Sequence, residues 1–242
     1  MTAVLMLFLA LPASGFENNA MRFDRLSIDD GLAQSSVMAI QQDHTGFMWF
    51  ATENGVDRYD GITFQNYRNL QGRDDSLSDN FARDLDIASD GSLWIATDGG
   101  GISRWMPDSD RFSSWRHNPG DPSSLATDRI RTVLADSRGY VWIGTRDSGL
   151  DRLDIASGQI THYAHAADNS NSISNNEVYA LAHGKDGVLW IGTKAGLNRL
   201  EPDSGRITRY MNDPAAVSYT HLRAHETTSL ISYAVCCLRR GG

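Results

Sequence analysis

Four charged residues occupy one equivalent point of a recurring sequence, and their sign changes from copy to copy. Each directly follows the threonine that ends a segment of the form Gly-x-x-Trp-x-(Ala/Gly)-Thr. Residues that vary within a repeat are better candidates for ligand contact than residues that recur, because recurring ones serve the architecture. A solvated rim of mixed charge is an equally simple interpretation. We predict ligand binding, with no catalytic or metal-ligating role, at Glu53, Asp98, Arg146 and Lys194.

An arginine also recurs once per copy, and its regularity favours a structural role. A ring of such arginines could bind an anion. The alternative, which we favour, is a hydrogen-bonded fork from each guanidinium to a carboxylate or backbone carbonyl of the neighbouring repeat, because a buried charge needs a partner. The four residues are Arg58, Arg104, Arg152 and Arg199.

Two smaller groups of residues could also bind a ligand. Two positions of the repeat are tryptophan in the second copy alone, Trp105 and Trp115, and these side chains could stack on sugar rings. We favour the alternative that they fill the core between outer strands. His162 and His165 with Asp168 could form a metal-binding trio, although a solvated edge is the more common arrangement.

The sequence contains no motif for dinucleotide binding, nucleophilic catalysis, nucleic-acid binding or a disulfide framework. The run Gly99-Gly100-Gly101 lacks the spacing of a dinucleotide-binding loop, and no nucleophile–base motif is present, so we expect no cofactor. The formal net charge is -8 and no basic stripe is visible, which argues against nucleic-acid binding. The two cysteines are adjacent, so they cannot build a disulfide framework.

The elements that must position these residues follow from the repeat itself. Its tryptophans, at positions 49, 94, 142 and 190, are 45 to 48 residues apart. Each copy contains four short runs of β-branched or aromatic residues separated by Gly, Asp and Asn, which predicts four strands, a to d. Four antiparallel strands per repeat are typical of propeller blades. We therefore predict an all-β propeller with four blades of a larger ring, which we expect to be seven-bladed.

The predicted meander places the candidate residues on one face. The turns between strands b and c and the loops between strands d and a emerge on the same face of a blade. These d–a loops, at 69–79, 117–128 and 165–176, are rich in Asn, Asp, Ser and Gly, and loops on a rigid scaffold commonly carry binding. Small residues of strand b are expected to face the crowded axis. They are Ala51, Ala96, Gly144 and Gly192.

The two ends of the chain differ from the repeats. Residues 1–20 contain a short apolar run followed by small residues, which predicts a signal peptide and a short linker. The partial propeller is predicted over 21–214, and Arg22-Phe23-x-x-Leu26 resembles a strand d that closes the ring. Residues 215–242 contain both cysteines and match nothing earlier, so we interpret them as a non-native or disordered tail.

Several motifs together resemble the two-component regulator propeller family. They are Asp30-Gly31-Leu32, Gly46-Phe-Met-Trp-Phe-Ala-Thr52 and Gly55-Val-x-Arg-Tyr-Asp-Gly61. The resemblance implies a periplasmic sensor region of a bacterial membrane receptor, whose output module is a histidine kinase, often hybrid, or a diguanylate cyclase. No such module, and no transmembrane helix, is found in this sequence.

The resemblance further implies an unknown small molecule or oligosaccharide as ligand, and a membrane-anchored homodimer as the full-length protein. It implies no enzymatic activity for the fragment itself. Two alternatives remain open. One is a propeller enzyme acting on polysaccharide, and the other is a non-catalytic scaffold for protein interaction, because fold alone does not separate these functions.

Overall fold

Four antiparallel sheets of four strands make up the computed structural model, which describes residues 25–211. The strands of each sheet pair in sequence order, as a meander does. Helical structure within that range is limited to two 3-10 turns, Ile28–Asp30 and Lys185–Gly187. The all-β propeller predicted from the repeat is confirmed.

Each sheet corresponds to one predicted repeat. Blade 1 contains β1 (Val37–Gln42), β2 (Met48–Thr52), β3 (Gly55–Tyr59) and β4 (Phe64–Tyr67). Blade 2 contains β5 (Ala82–Ile87), β6 (Leu93–Thr97), β7 (Ile102–Met106) and β8 (Arg111–Trp115). Blade 3 contains β9 (Ile130–Ala135), β10 (Tyr140–Thr145), β11 (Leu150–Asp154) and β12 (Ile160–Tyr163). Blade 4 contains β13 (Val178–His183), β14 (Leu189–Thr193), β15 (Gly196–Glu201) and β16 (Arg206–Met211).

The first strand of each blade is the innermost one. Strand β1 contacts β5, β5 contacts β9 and β9 contacts β13. The small residues predicted to face the axis are on the second strand of each blade, so that part of the prediction is wrong. They lie behind the innermost strands, where Gly144 has no room for a side chain. A Cβ on Gly144 would lie 2.5 Å from Thr132 Cγ2 and 2.7 Å from Val178 Cγ1.

The hydrophobic core lies between adjacent blades. Three clusters of buried side chains each join one blade to the next. Trp49, Trp94 and Trp142 are fully buried in these clusters. The ring of Trp49, for example, lies 4.7 Å from that of Trp105 in blade 2. The predicted role of the repeated tryptophan between neighbouring blades is therefore confirmed.

A buried polar residue on the third strand holds the loop that leads into its own blade. The Asp151 carboxylate accepts a hydrogen bond from the Ala126 backbone amide at 2.9 Å, and the Asn198 side-chain oxygen accepts one from Ser174 at 2.8 Å. Asp57 and Ser103 make the equivalent bonds in blades 1 and 2. These bonds give the d–a loops a defined path across the face where ligand binding is predicted.

The two histidines of the proposed metal trio fasten the same loops. His162 Nδ1 is 2.6 Å from the Asp151 carboxylate, and its Nε2 is 3.0 Å from the Pro122 carbonyl. His165 Nδ1 is 2.8 Å from the Ile173 carbonyl. Within residues 25–211 no cluster of three His, Cys, Asp or Glu residues could hold a metal ion. The trio is therefore not assembled, and both histidines are exposed, as a solvated edge requires, while each also holds a loop.

Several predictions fall outside the described residues. These are the signal peptide at 1–20, the tail at 215–242 and most of the closing strand, whose last residues Arg25 and Leu26 are described but are not in a strand. Neither of the two short helical turns within residues 25–211 could span a membrane.

Replacing Gly144 by alanine is expected to destabilise the chain. The new methyl group would overlap Thr132 and Val178, and such overpacking costs about 1–3 kcal/mol. Gly192→Ala is the matched control, because a Cβ there finds only ordinary contacts from 3.7 Å and should change the free energy of unfolding by less than about 1 kcal/mol. Urea unfolding measures both variants. Equal effects would contradict the close packing at Gly144.

Stability should depend on pH through His162. Burial lowers the pKa of His162, but the hydrogen bond and charge of Asp151 outweigh this and raise the pKa above 6.5. A raised pKa means that the imidazolium stabilises the fold below the unfolded-state value, and that this contribution is lost as the pH rises through the folded-state value. His162→Asn should keep the bond to Asp151, as Asn66 does with Asp57, but cannot titrate.

We therefore expect the stability advantage of the wild type over His162→Asn to decrease as the pH rises from below the unfolded-state pKa of about 6.5 through the raised folded-state pKa. The decrease should be on the order of 0.5 kcal/mol, because solvent screens the partly exposed ring. Thermal unfolding at a series of pH values measures it. Parallel profiles for the two proteins would show that the ion pair does not contribute.

Candidate ligand-binding face

The shared threonine shapes the turn between the second and third strands of every blade. In blade 3, Thr145 Oγ1 donates a hydrogen bond to the Gly149 carbonyl at 2.8 Å and accepts one from the Ser148 amide at 2.8 Å. The amide of the following residue, Arg146, donates to the Arg129 carbonyl, next to the innermost strand β9. The backbone of the candidate residue is therefore held in place at the inner rim. The same threonine bonds occur in the other three blades.

Asp98 and Arg146 meet across the boundary between blades 2 and 3. Arg146 Nη1 is 2.8 Å from Asp98 Oδ2, and Arg83 Nε donates to the same oxygen at 3.0 Å. The Asp98 side chain is 9% exposed, whereas those of Arg83 and Arg146 are 27% and 31% exposed. One buried carboxylate therefore lies between two arginines that keep contact with solvent.

The other two predicted residues are placed apart from this pair. Lys194 Nζ is 2.6 Å from Glu177 Oε1 of its own blade, and this contact lowers the pKa of Glu177 and raises the pKa of Lys194. Glu53 is exposed in its turn. Of the four predicted residues, the structure brings only Asp98 and Arg146 together.

All four innermost strands line one cavity of about 510 Å³, which we call the inner surface. Its polar side chains are Arg83, Asp84, Arg131, Thr132, Arg146 and Tyr179. Only Arg146 belongs to the predicted set. The sequence contained a signal for the others: the second residue of the innermost strand is Met, Arg, Arg or Tyr from blade 1 to blade 4, a variation as strong as that in the predicted set.

Asp84 of the inner surface is engaged in joining blades. Its Oδ2 accepts hydrogen bonds from Thr132 Oγ1 at 2.7 Å and from the Val133 amide at 3.1 Å. Burial raises the pKa of Asp84 to about 6, although these bonds favour the ionised form. Asp86, two residues later, accepts a bond from the Ala135 amide at 2.6 Å. The two carboxylates fasten β5 to β9.

The repeated arginines make contacts that the sequence analysis did not predict. Each lies directly opposite the repeated tryptophan in the strand pairing, for example Arg58 opposite Trp49. The Arg58 guanidinium lies 3.7 Å from the centre of the Phe47 ring and 5.4 Å from that of Trp49. Arg104 binds Asp90 of its own blade at 2.5 Å.

Cation–π stacking holds Arg58, Arg104 and Arg152, with Arg58 also lying 5.3 Å from the Trp105 ring of blade 2. Arg199 pairs with Glu201 of its own blade. The predicted fork to a carboxylate or carbonyl of the neighbouring blade is therefore wrong for Arg104 and Arg199, whose carboxylate partners lie in their own blades.

The aromatic residues of blade 2 belong to the core. Trp105 is 3% exposed, packs on Trp49 and donates from Nε1 to Asp110 Oδ1 at 2.7 Å. Trp115 packs on Trp94 with ring centres 5.1 Å apart. Core filling is confirmed for Trp105, and Trp115 is partly buried against the cluster that joins blades 2 and 3.

Three segments of the chain match the family model described as two component regulator propeller. They are residues 31–54, 124–147 and 172–195. Each segment runs from the loop before an innermost strand, through the first two strands of a blade, into the turn that carries Glu53, Arg146 or Lys194. The match therefore covers the elements that build the inner rim.

The chain is similar to a histidine kinase and to the extracellular domains of two bacterial signalling systems. Histidine kinase P4 of Formosa agariphila is 38% identical over 77 residues, which are 32% of this chain and 6% of that protein. The extracellular domain of a hybrid two-component system of B. thetaiotaomicron superposes with a TM-score of 0.69 and 29% identity, over 78% of this chain and 26% of that chain. The extracellular domain of a one-component system of the same organism has a TM-score of 0.64 and 21% identity, over 86% of this chain and 30% of that one.

The chain spans less than a third of each of these relatives. The matched segments lie in blades 1, 3 and 4, so three of the four blades contain a segment that fits the model of two-component regulator propeller repeats, the family that the sequence resembles.

Proposed function

We propose that this chain is the ligand-sensing propeller region of a bacterial membrane receptor and acts in the periplasm. The observation that carries the proposal is the match to two-component regulator propeller repeats, together with the 29% identity to an extracellular domain of a hybrid two-component system. In the full-length protein, the output module is a histidine kinase or a diguanylate cyclase, and the receptor acts as a homodimer.

The ligand, a small molecule or an oligosaccharide, binds at the end of the blades that carries the Asp98–Arg146 pair. A ligand on the inner surface would contact several blades at once, because each blade contributes its innermost strand. The turns and loops around this surface are held by the threonine bonds and by the buried polar residues of the third strands. Little conformational entropy is therefore lost when the rim orders around a ligand.

The arrangement favours sensing over catalysis by this region. Asp84 and Asp86 of the innermost strand β5 are partly buried and accept hydrogen bonds from backbone amides of β9. They join two blades and are not presented as an acid–base pair. Signalling then requires only that the ligand bind two states of the receptor with different affinity.

A ligand screen on the full chain tests this function. We expect one member of a panel of neutral and acidic oligosaccharides to raise the melting temperature in a saturable manner, because a ligand that binds only the folded state stabilises it. Reversing the charge of Arg146 and Lys194 together, as R146E/K194E, should weaken that binding by about tenfold or more and leave the chain folded.

The matched control is R111E/R206E. It changes two exposed charges at the starts of β8 and β16, at the opposite end of the blades. Unchanged affinity in R146E/K194E, or equal loss in the control, would contradict binding at this face. Release of shortened products from a panel oligosaccharide would favour the polysaccharide-acting enzyme. A downstream reading frame that ends without a transmembrane helix and output module would contradict the receptor.

A further inference from the structure

Positive charge on the inner surface exceeds the negative charge available to balance it. Arg83 and Arg146 share one carboxylate, that of Asp98. The whole chain has a formal net charge of -8. The excess of arginine on this concave surface is therefore opposite in sign to the net charge of the chain. Concave surfaces lined by one sign of charge concentrate the field and attract ions of the opposite sign.

Arg131 adds a third cation to the same surface. Its guanidinium lies 4.0 Å from the centre of the Tyr179 ring in blade 4. Its Nη1 is buried and has no hydrogen-bond partner among the described side chains and backbone. Arg131 therefore keeps hydrogen-bonding capacity that no described residue uses, and an acceptor that enters this surface meets a guanidinium already held by stacking on Tyr179.

Asp84, the remaining carboxylate of the inner surface, does not neutralise Arg131. Its Oδ2 is occupied by Thr132 Oγ1 and the Val133 amide, and it forms no ion pair with an arginine within residues 25–211. Asp98 is thus the one carboxylate paired with an arginine of the surface, and the carboxylate of Glu177, which also acts on Arg131 through its charge, is itself paired with Lys194. The surface offers room for one more anionic group.

The rest of the wall is apolar. Met38 and Ala39 of β1 and Ala180 and Leu181 of β13 line the same cavity, and the Tyr179 residue is 46% exposed. Guanidinium groups suit planar carboxylates, which they bind through two parallel hydrogen bonds. An anionic group next to an apolar or ring-shaped face matches this combination of side chains.

We propose that the inner surface binds a carboxylate-bearing ligand, such as an acidic sugar, with Arg131 as the residue that first contacts the carboxylate and Arg146 as its neighbour. This inference rests on the proposed function, because it names the chemical class of ligand for the same face. Asp98 then acts as an internal competitor, which holds Arg83 and Arg146 in place when no ligand is bound.

Binding of a trimer of galacturonic acid and of the neutral trimer of galactose to the full chain tests this proposal. Calorimetric titration at constant ionic strength should give saturable binding of the acidic trimer only. Arg131→Gln should weaken it by about tenfold or more. Arg111→Gln is the matched control. It removes the same charge from β8, where the side chain is 66% exposed beside Asp75, and should bind as the wild type does.

The possible results separate this inference from the proposed function. Equal binding of both trimers, or an equal loss in the two variants, would overturn the carboxylate site and leave ligand sensing intact. Failure of the acidic trimer and of simple carboxylates such as benzoate to bind would also overturn it, whereas the wider oligosaccharide screen decides ligand sensing on its own.

A second variant tests the competition directly. Asp98→Asn removes the internal carboxylate charge, so Arg83 and Arg146 become free to attract the ligand, and the acidic trimer should bind about threefold tighter or more. A role of Asp98 in structure alone would not produce a gain in affinity. Equal or weaker binding of the acidic trimer by this variant would contradict the proposal.

Discussion

Burial of one tryptophan per repeat between adjacent sheets is the interaction on which the rest of the structure depends. Trp49, Trp94 and Trp142 have no exposed surface, and each is part of a cluster that joins two blades. Burying so large a side chain contributes several kcal/mol. A single four-stranded sheet cannot bury these rings by itself, so neighbouring blades stabilise one another, as in other repeat proteins.

Polar interactions then determine where the loops and turns lie. The third-strand residues Asp151 and Asn198 hold the loops that enter their blades, and the threonines of the second strands hold the tight turns. The threonine recurs in every blade and the third-strand residue is always small and polar, because each satisfies backbone amides that would otherwise lack a partner. The variable residues between them, such as Arg131 and Arg146, remain available for contact with a ligand.

Much of the fold could be predicted from the sequence because strand order follows from hydrophobic runs and turn residues. The placement of the repeated arginines could not, because the predicted fork assumed contacts between blades. Trp49 and Arg58 lie at equal distances from their tight turn, so antiparallel pairing places them opposite each other. The inner surface was missed for a different reason. Arg83 and Arg131 belong to strands whose position next to the axis becomes evident only when the contacts between blades are known.

The central claim, that tryptophan burial between blades holds the structure together, is tested most directly by urea unfolding of Trp94→Ala beside Trp190→Ala. Trp94 is fully buried between two described blades, whereas Trp190 of blade 4 is only half-buried. The account predicts a loss of about 3–5 kcal/mol for Trp94→Ala and a clearly smaller loss for Trp190→Ala. Equal losses in the free energy of unfolding would contradict it.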